Sequence, residues 1–85
     1  MMGNGMNEQI QVGAVFGKGE KLVKPVWFVW KNRRHVIREI TYTWKTDEGR
    51  SILYHFSVTD GVNLYNIAFH PDRMIWKLCA VDMEG

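Results

Sequence analysis

Cysteine is nearly missing from this chain: Cys79 stands alone among 85 residues, and one thiol closes no internal disulfide. No Cys-x-x-Cys pair is present, so the spacing that marks a structural zinc site is lacking. Both absences point to a reducing compartment. No apolar run approaches the roughly 20 residues of a membrane span. Met1 to Gln9 carries glycine and asparagine where a secretory leader has a basic stretch and then an apolar one. The expectation is a cytoplasmic protein with no membrane partner. No apolar pattern keeps a period of about 3.6 residues over three turns, which predicts no helix of useful length.

What the chain does have is aromatic bulk. A domain this short buries a smaller share of its surface than a larger one and is marginal in stability. Trp27, Trp30, Trp44 and Trp76, with four phenylalanines and three tyrosines, answer that limit. Each ring removes on the order of 150 to 250 Å² from water when enclosed.

The strand signals are strong from residue 25 onward. Residues 1–9 are polar and glycine-bearing and are expected to be disordered, which leaves 10–85 as one domain. Ile10 to Phe16 is a short apolar run closed by Gly17-Lys18-Gly19, either a strand or a segment that packs on the sheet. Pro25 precedes Val26-Trp27-Phe28-Val29-Trp30, and proline is tolerated at the start of a strand. Further strands are expected near 35–44, 52–60, 62–70 and 74–82. Together they make an all-β antiparallel meander of five to six strands.

Turn chemistry sets the expected registers. Asp60-Gly61 suits a two-residue type I′ turn, which pairs Thr59 with Val62, Phe56 with Tyr65, Tyr54 with Ile67 and Ile52 with Phe69. His55 then faces Asn66 on the other side. Pro71 suits the second position of a type I turn in His70-Pro71-Asp72-Arg73. Parity keeps Trp76 and Leu78 on the face of Tyr65, Ile67 and Phe69, the core face. Lys45 to Ser51 reads as a polar loop that turns Val36, Ile40, Tyr42 and Trp44 inward. Arg38 interrupts that set, so a β-bulge is expected near Ile37 to Glu39. The strand Val26 to Trp30 is apolar on both faces and needs cover on two sides. Curling into a small barrel or half-barrel ranks first as the source of that cover, a second subunit next, and the segment Ile10 to Phe16 can contribute.

Chemistry-bearing motifs are few. Gly13 to Gly19 resembles a phosphate-binding loop, but its glycines are one residue too close and glycine stands where Ser or Thr should hold Mg²⁺, so it is read as a turn. His35, His55, His70 and Cys79 match no zinc spacing, and no cofactor is expected. Asp47, Glu48, Asp60 and Asp72 fall in predicted turns, and Glu39 is read as an ion-pairing residue near the bulge. With neither a nucleophile and base pair nor depth for a small-molecule pocket, no enzymatic activity and no small-molecule substrate are expected.

Charge is where a binding face shows. Lys18 to Arg38 holds seven basic residues against one acidic, a net of +6, while the remainder carries −4. Trp27, Trp30, Lys31, Arg33, Arg34, His35 and Arg38 form the candidate binding surface. Basic residues interleaved with aromatic ones hold single-stranded nucleic acid in small β-barrels, and Trp and Arg also dominate protein interfaces. The leading expectation is a non-enzymatic module that binds a protein partner or self-associates through the Val26 to Trp30 strand. The alternative is a nucleic-acid-binding accessory domain.

The run Pro25-x-Trp27-Phe28-x-Trp30-x3-Arg34-His35-x-Ile37-x-Glu39-Ile40-x3-Trp44, with Tyr65 and Trp76-x-Leu78 later, resembles an uncharacterised family of small bacterial β domains over residues 25–82. Asn32 departs from it, standing in a turn where that family tends to carry glycine. The resemblance implies the β fold and no established activity. Some members of that family are encoded near translesion DNA polymerases, and the resemblance carries from this a hint toward DNA transactions and nothing more.

Overall fold

The computed structural model describes residues 6–17 and 23–82. Seven strands, β1 (Glu8–Phe16), β2 (Val23–Trp30), β3 (Arg33–Val36), β4 (Glu39–Glu48), β5 (Ser51–Thr59), β6 (Leu64–His70) and β7 (Ile75–Asp82), form one antiparallel sheet in the order β3-β2-β1-β7-β6-β5-β4. No helix is present among the described residues, and in particular none long and apolar enough to cross a membrane. The all-β antiparallel reading holds, and the count is seven, not five to six. The apolar run near residue 10 is a strand, β1, and it joins β2 to β7. Of the stretch 1–9 expected to be disordered, residues 1–5 lie outside the described residues, while Met6 donates to the Cys79 carbonyl at 2.8 Å and Glu8 already pairs with Leu78.

The sheet is strongly curled but is not closed into a barrel. Phe28 on β2 and Tyr65 on β6 meet edge to face at 4.9 Å. Their strands are three places apart, which in a flat sheet would separate them by about 14 Å. The outer strands β3 and β4 are consecutive in the chain, with only Ile37 and Arg38 between them. The N–H of Ile37 bonds to Val26 O at 3.0 Å and that of Arg38 to Thr59 O at 2.8 Å, so this short link reaches both ends of the sheet. No ladder joins β3 to β4, which leaves both as edges.

Curling buries one continuous core. Phe28 and Trp30 from β2 pack with Phe56, Val58, Tyr65, Ile67, Phe69, Trp76, Leu78 and Val81, and Ile10 of β1 joins them. The alternation in β6 and β7 places Tyr65, Ile67, Phe69, Trp76 and Leu78 on this face, as parity requires.

Several registers differ from expectation, each for a local reason. Thr59 pairs with Leu64, Phe56 with Ile67, Tyr54 with Phe69 and His55 with Ala68, so the loop between β5 and β6 holds four residues instead of two. A type I′ turn needs positive φ at both central positions. Here only Gly61 has it, while the Asp60 carboxylate accepts the N–H groups of Val62 and Asn63 at 2.9 Å each. That side-chain turn takes two more residues and leaves the parity unchanged.

Lys45 to Glu48 is strand, not loop, because Gly49 at φ 69° lets a two-residue turn join Glu48 to Ser51. The bulge falls between Ile40 and Tyr42, not at 37–39, where the chain passes between strands instead. Ile40 therefore packs on the core, whereas Val36 and Tyr42 are 59% and 66% exposed and do not face inward as expected. Trp44 is half-buried on the outer face, stacked on His55.

β2 lies inside the sheet between β1 and β3, so its backbone has no free side for strand pairing with another subunit. Its second apolar face carries Trp27 and Val29. The Trp27 indole lies over Gly13 of the neighbouring β1, in the space where a Cβ would sit.

Candidate anion-binding cleft

The turn from β2 to β3 is a two-residue hairpin of Lys31 and Asn32, with φ of 53° and 61°. Positive φ at both positions is the type I′ geometry, and it swings β3 back along β2. Trp27 and Val29 then share one face with Val36 and Arg34, while Phe28 and Trp30 share the other with His35 and Arg33. Because β3 is an edge, side chains from both of its faces border the same opening.

That opening is a cleft of about 590 Å³ at the end of the curled sheet. Arg33, Arg34 and His35 come to it from β3, Arg38 from the link before β4, Asp60 from the β5–β6 loop and Tyr65 from β6. Four of the seven residues singled out from sequence thus meet at one place. Trp27, Trp30 and Lys31 do not line it. Trp30 is only 9% exposed, and Lys31 Nζ lies 4.8 Å from its ring centroid. Arg34 lies over Trp27 at 4.7 Å, a cation–π contact that occupies one face of that ring.

A hydrogen-bonded cluster forms one wall. The Tyr65 hydroxyl donates to Asp60 Oδ2 at 3.0 Å, and His35 Nδ1 lies 3.4 Å from the same oxygen. Asn63 Nδ2 donates to the Tyr65 hydroxyl at 3.4 Å. Phe28 stacks on the His35 ring at 4.9 Å with 14° between planes, so the imidazole is held both in plane and at Nδ1. Burial acts to raise the Asp60 carboxyl, but the N–H groups of Asn63 and Val62, with Tyr65 and His35, outweigh it and hold it at about 2. Burial, with the anionic Asp60 beside it, pushes the Tyr65 hydroxyl up. Asp60 is therefore an anion whose oxygens are already engaged.

The arginines lack carboxylate partners. Among the described residues, the one contact between a basic and an acidic side chain within 4 Å is His35 with Asp60, and none of Arg33, Arg34 and Arg38 has a carboxylate partner. Glu39, expected to pair near Arg38, is exposed and likewise without an ion-pair partner there. Guanidinium groups gathered beside a single carboxylate, Asp60, whose oxygens are taken by other donors, suit planar, bidentate recognition of phosphate or carboxylate oxygens.

No three of His, Cys, Asp and Glu among the described residues come together as metal ligands. Cys79 is a free, half-buried thiol whose pKa burial raises, which makes it a poor nucleophile. Sequence reasoning found the arginines and His35 from their local density. It missed Asp60 and Tyr65 as site residues, because their only local signals are a turn and a core tyrosine. Comparison of the chain with family models, curated proteins and solved structures gave no match.

Proposed function

We propose that this domain is an accessory module that binds single-stranded nucleic acid, with the phosphates held by Arg33, Arg34 and Arg38. One observation carries the reading: three arginines without ion-pair partners among the described residues border one cleft. The reading assigns no catalytic role and no cofactor to the cleft. It places the protein in the cytoplasm, where an unpaired Cys79 stays reduced.

Titration of a single-stranded oligonucleotide, followed by tryptophan fluorescence, tests this, since Trp27 lies beneath Arg34. Three phosphate contacts predict a slope of about −2 for log K against log salt, at roughly 0.7 per contact for single strands. An Arg33→Ala, Arg38→Ala variant loses most of the affinity. Binding that ignores both salt and these substitutions overturns the reading.

A protein partner or a second copy is the other reading, favoured by the exposed Val36 beside Trp27 and Val29 on the outer face of β2 and β3. It ranks second because Arg34 already covers one face of the Trp27 ring. A dimer mass in solution that Val36→Lys reduces to monomer would support it.

A further inference from the structure

The outer face of the sheet carries a short aromatic stack that the arginine cleft does not use. His55 on β5 and Trp44 on β4 lie face to face at 5.0 Å with 6° between planes. Tyr42 follows on the same strand, 5.5 Å from Trp44 and inclined by 31°. His55 is anchored through Nε2, which shares a 2.9 Å hydrogen bond with Thr46 Oγ1. The stack thus runs His55, Trp44, Tyr42. It ends on a ring that is 66% exposed.

Its position relative to the cleft is fixed by the chain. Arg38 ends the link that opens β4, and Tyr42 lies four residues further on, about 10 to 13 Å along an extended strand that contains one bulge. Glu39 lies between them and is exposed. Its charge disfavours phosphate next to Tyr42 but not an uncharged ring.

We infer that Tyr42, backed by Trp44 and His55, is a stacking platform for a nucleobase of the strand whose phosphates occupy the arginine cleft. This inference rests on the nucleic-acid reading above. An aromatic ring already held by its neighbours loses little rotamer freedom on binding. It offers its open π-face to any base, so the platform adds affinity without sequence preference.

The test compares two probes on the full chain: an oligonucleotide of about 12 nucleotides, within the range one such domain covers, and a dinucleotide that fills only the cleft. Tyr42→Ala is expected to weaken the longer probe roughly 5- to 150-fold, the range for one stacked base, and to leave the dinucleotide unchanged. Tyr42→Phe keeps the affinity, because the ring and not the hydroxyl is required, and Tyr42→Leu behaves like Tyr42→Ala. If Tyr42→Ala leaves the longer probe unaffected while Arg33→Ala, Arg38→Ala abolishes its binding, the platform is wrong and the cleft reading stands. If neither probe binds the unaltered protein, both are wrong.

Discussion

The Tyr65 hydroxyl reaches Asp60 Oδ2 at 3.0 Å, so a ring from the middle of the core fastens a carboxylate in the β5–β6 loop. Asp60 Oδ1 takes the N–H groups of Val62 and Asn63 at 2.9 Å each, and one side chain thereby joins loop, core and cleft. The folded carboxyl titrates at about 2, below its ordinary 3.8. Stability from this shift is fully present above about pH 4 and is lost as pH falls from there through 2. After allowance for solvent screening it amounts to about 1 to 2 kcal/mol. Asp60→Asn is expected to lose that amount at pH 6 and to converge on the unaltered protein near pH 2. Urea denaturation of both at several pH values measures the difference, and a gap that does not narrow in acid would refute this account.

Gly13 has no freedom to gain a side chain. A Cβ there would overlap the Trp27 indole, far inside contact distance. Gly13→Ala must displace the ring, with a cost of about 1 to 3 kcal/mol, the range for overpacking. Displacement also breaks the Arg34 contact at 4.7 Å. The expected signature is a lower urea midpoint together with a red shift in tryptophan emission. An unshifted spectrum would mean that the indole has stayed in place.

The sequence is most informative where one face of a strand is buried. Tyr65, Ile67, Phe69, Trp76 and Leu78 alternate because the core demands it, and that alternation reads correctly even though the loop before β6 is two residues longer than its Asp-Gly pair suggests. β4 is harder to read. It is an edge strand, exposed along most of its length, so Lys45 to Glu48 shows no apolar alternation and looks like a loop. The cleft is half legible for a similar reason. Arg33, Arg34, His35 and Arg38 are neighbours in sequence, whereas Asp60 arrives from 25 residues beyond His35 through the curl of the sheet. Trp30 reads as a candidate platform because it adjoins those basic residues, but its position opposite Arg33 on the inner face puts it in the core.

The hairpin at Lys31 and Asn32 stores backbone strain that glycine relieves. Both residues have positive φ, where an L side chain costs roughly 1 to 2 kcal/mol and asparagine less. Asn32→Gly yields the lowest-strain residue for the second position of a type I′ turn, offset in part by the greater flexibility of glycine in the unfolded chain. A gain of about 0.5 kcal/mol in urea denaturation is expected. Since Lys31 and the arginines are untouched, nucleic-acid affinity should stay the same. A loss of stability would mean that the asparagine side chain holds the turn by itself.

Acid sensitivity near neutral pH should come from the outer face. Burial lowers the pKa of His55; Glu48 opposes the shift and His70 adds to it, and Nδ1 is buried with no hydrogen-bond partner. His70 is lowered as well, first by burial and then by Lys77. For a base whose folded pKa lies below the ordinary 6.5, the unfolded chain takes the proton first, so stability is present above 6.5 and falls as pH drops below it. His55→Phe keeps a flat ring against Trp44 and removes the proton site together with the unpartnered nitrogen. It gives up the Thr46 hydrogen bond, worth about 0.5 to 1.5 kcal/mol. These changes offset each other above neutrality, where the two proteins should be of similar stability. At pH 5.5 the phenylalanine variant should retain more of its urea midpoint than the unaltered protein does. An unchanged loss in the variant would assign the acid sensitivity to His70, and His70→Asn would then remove it.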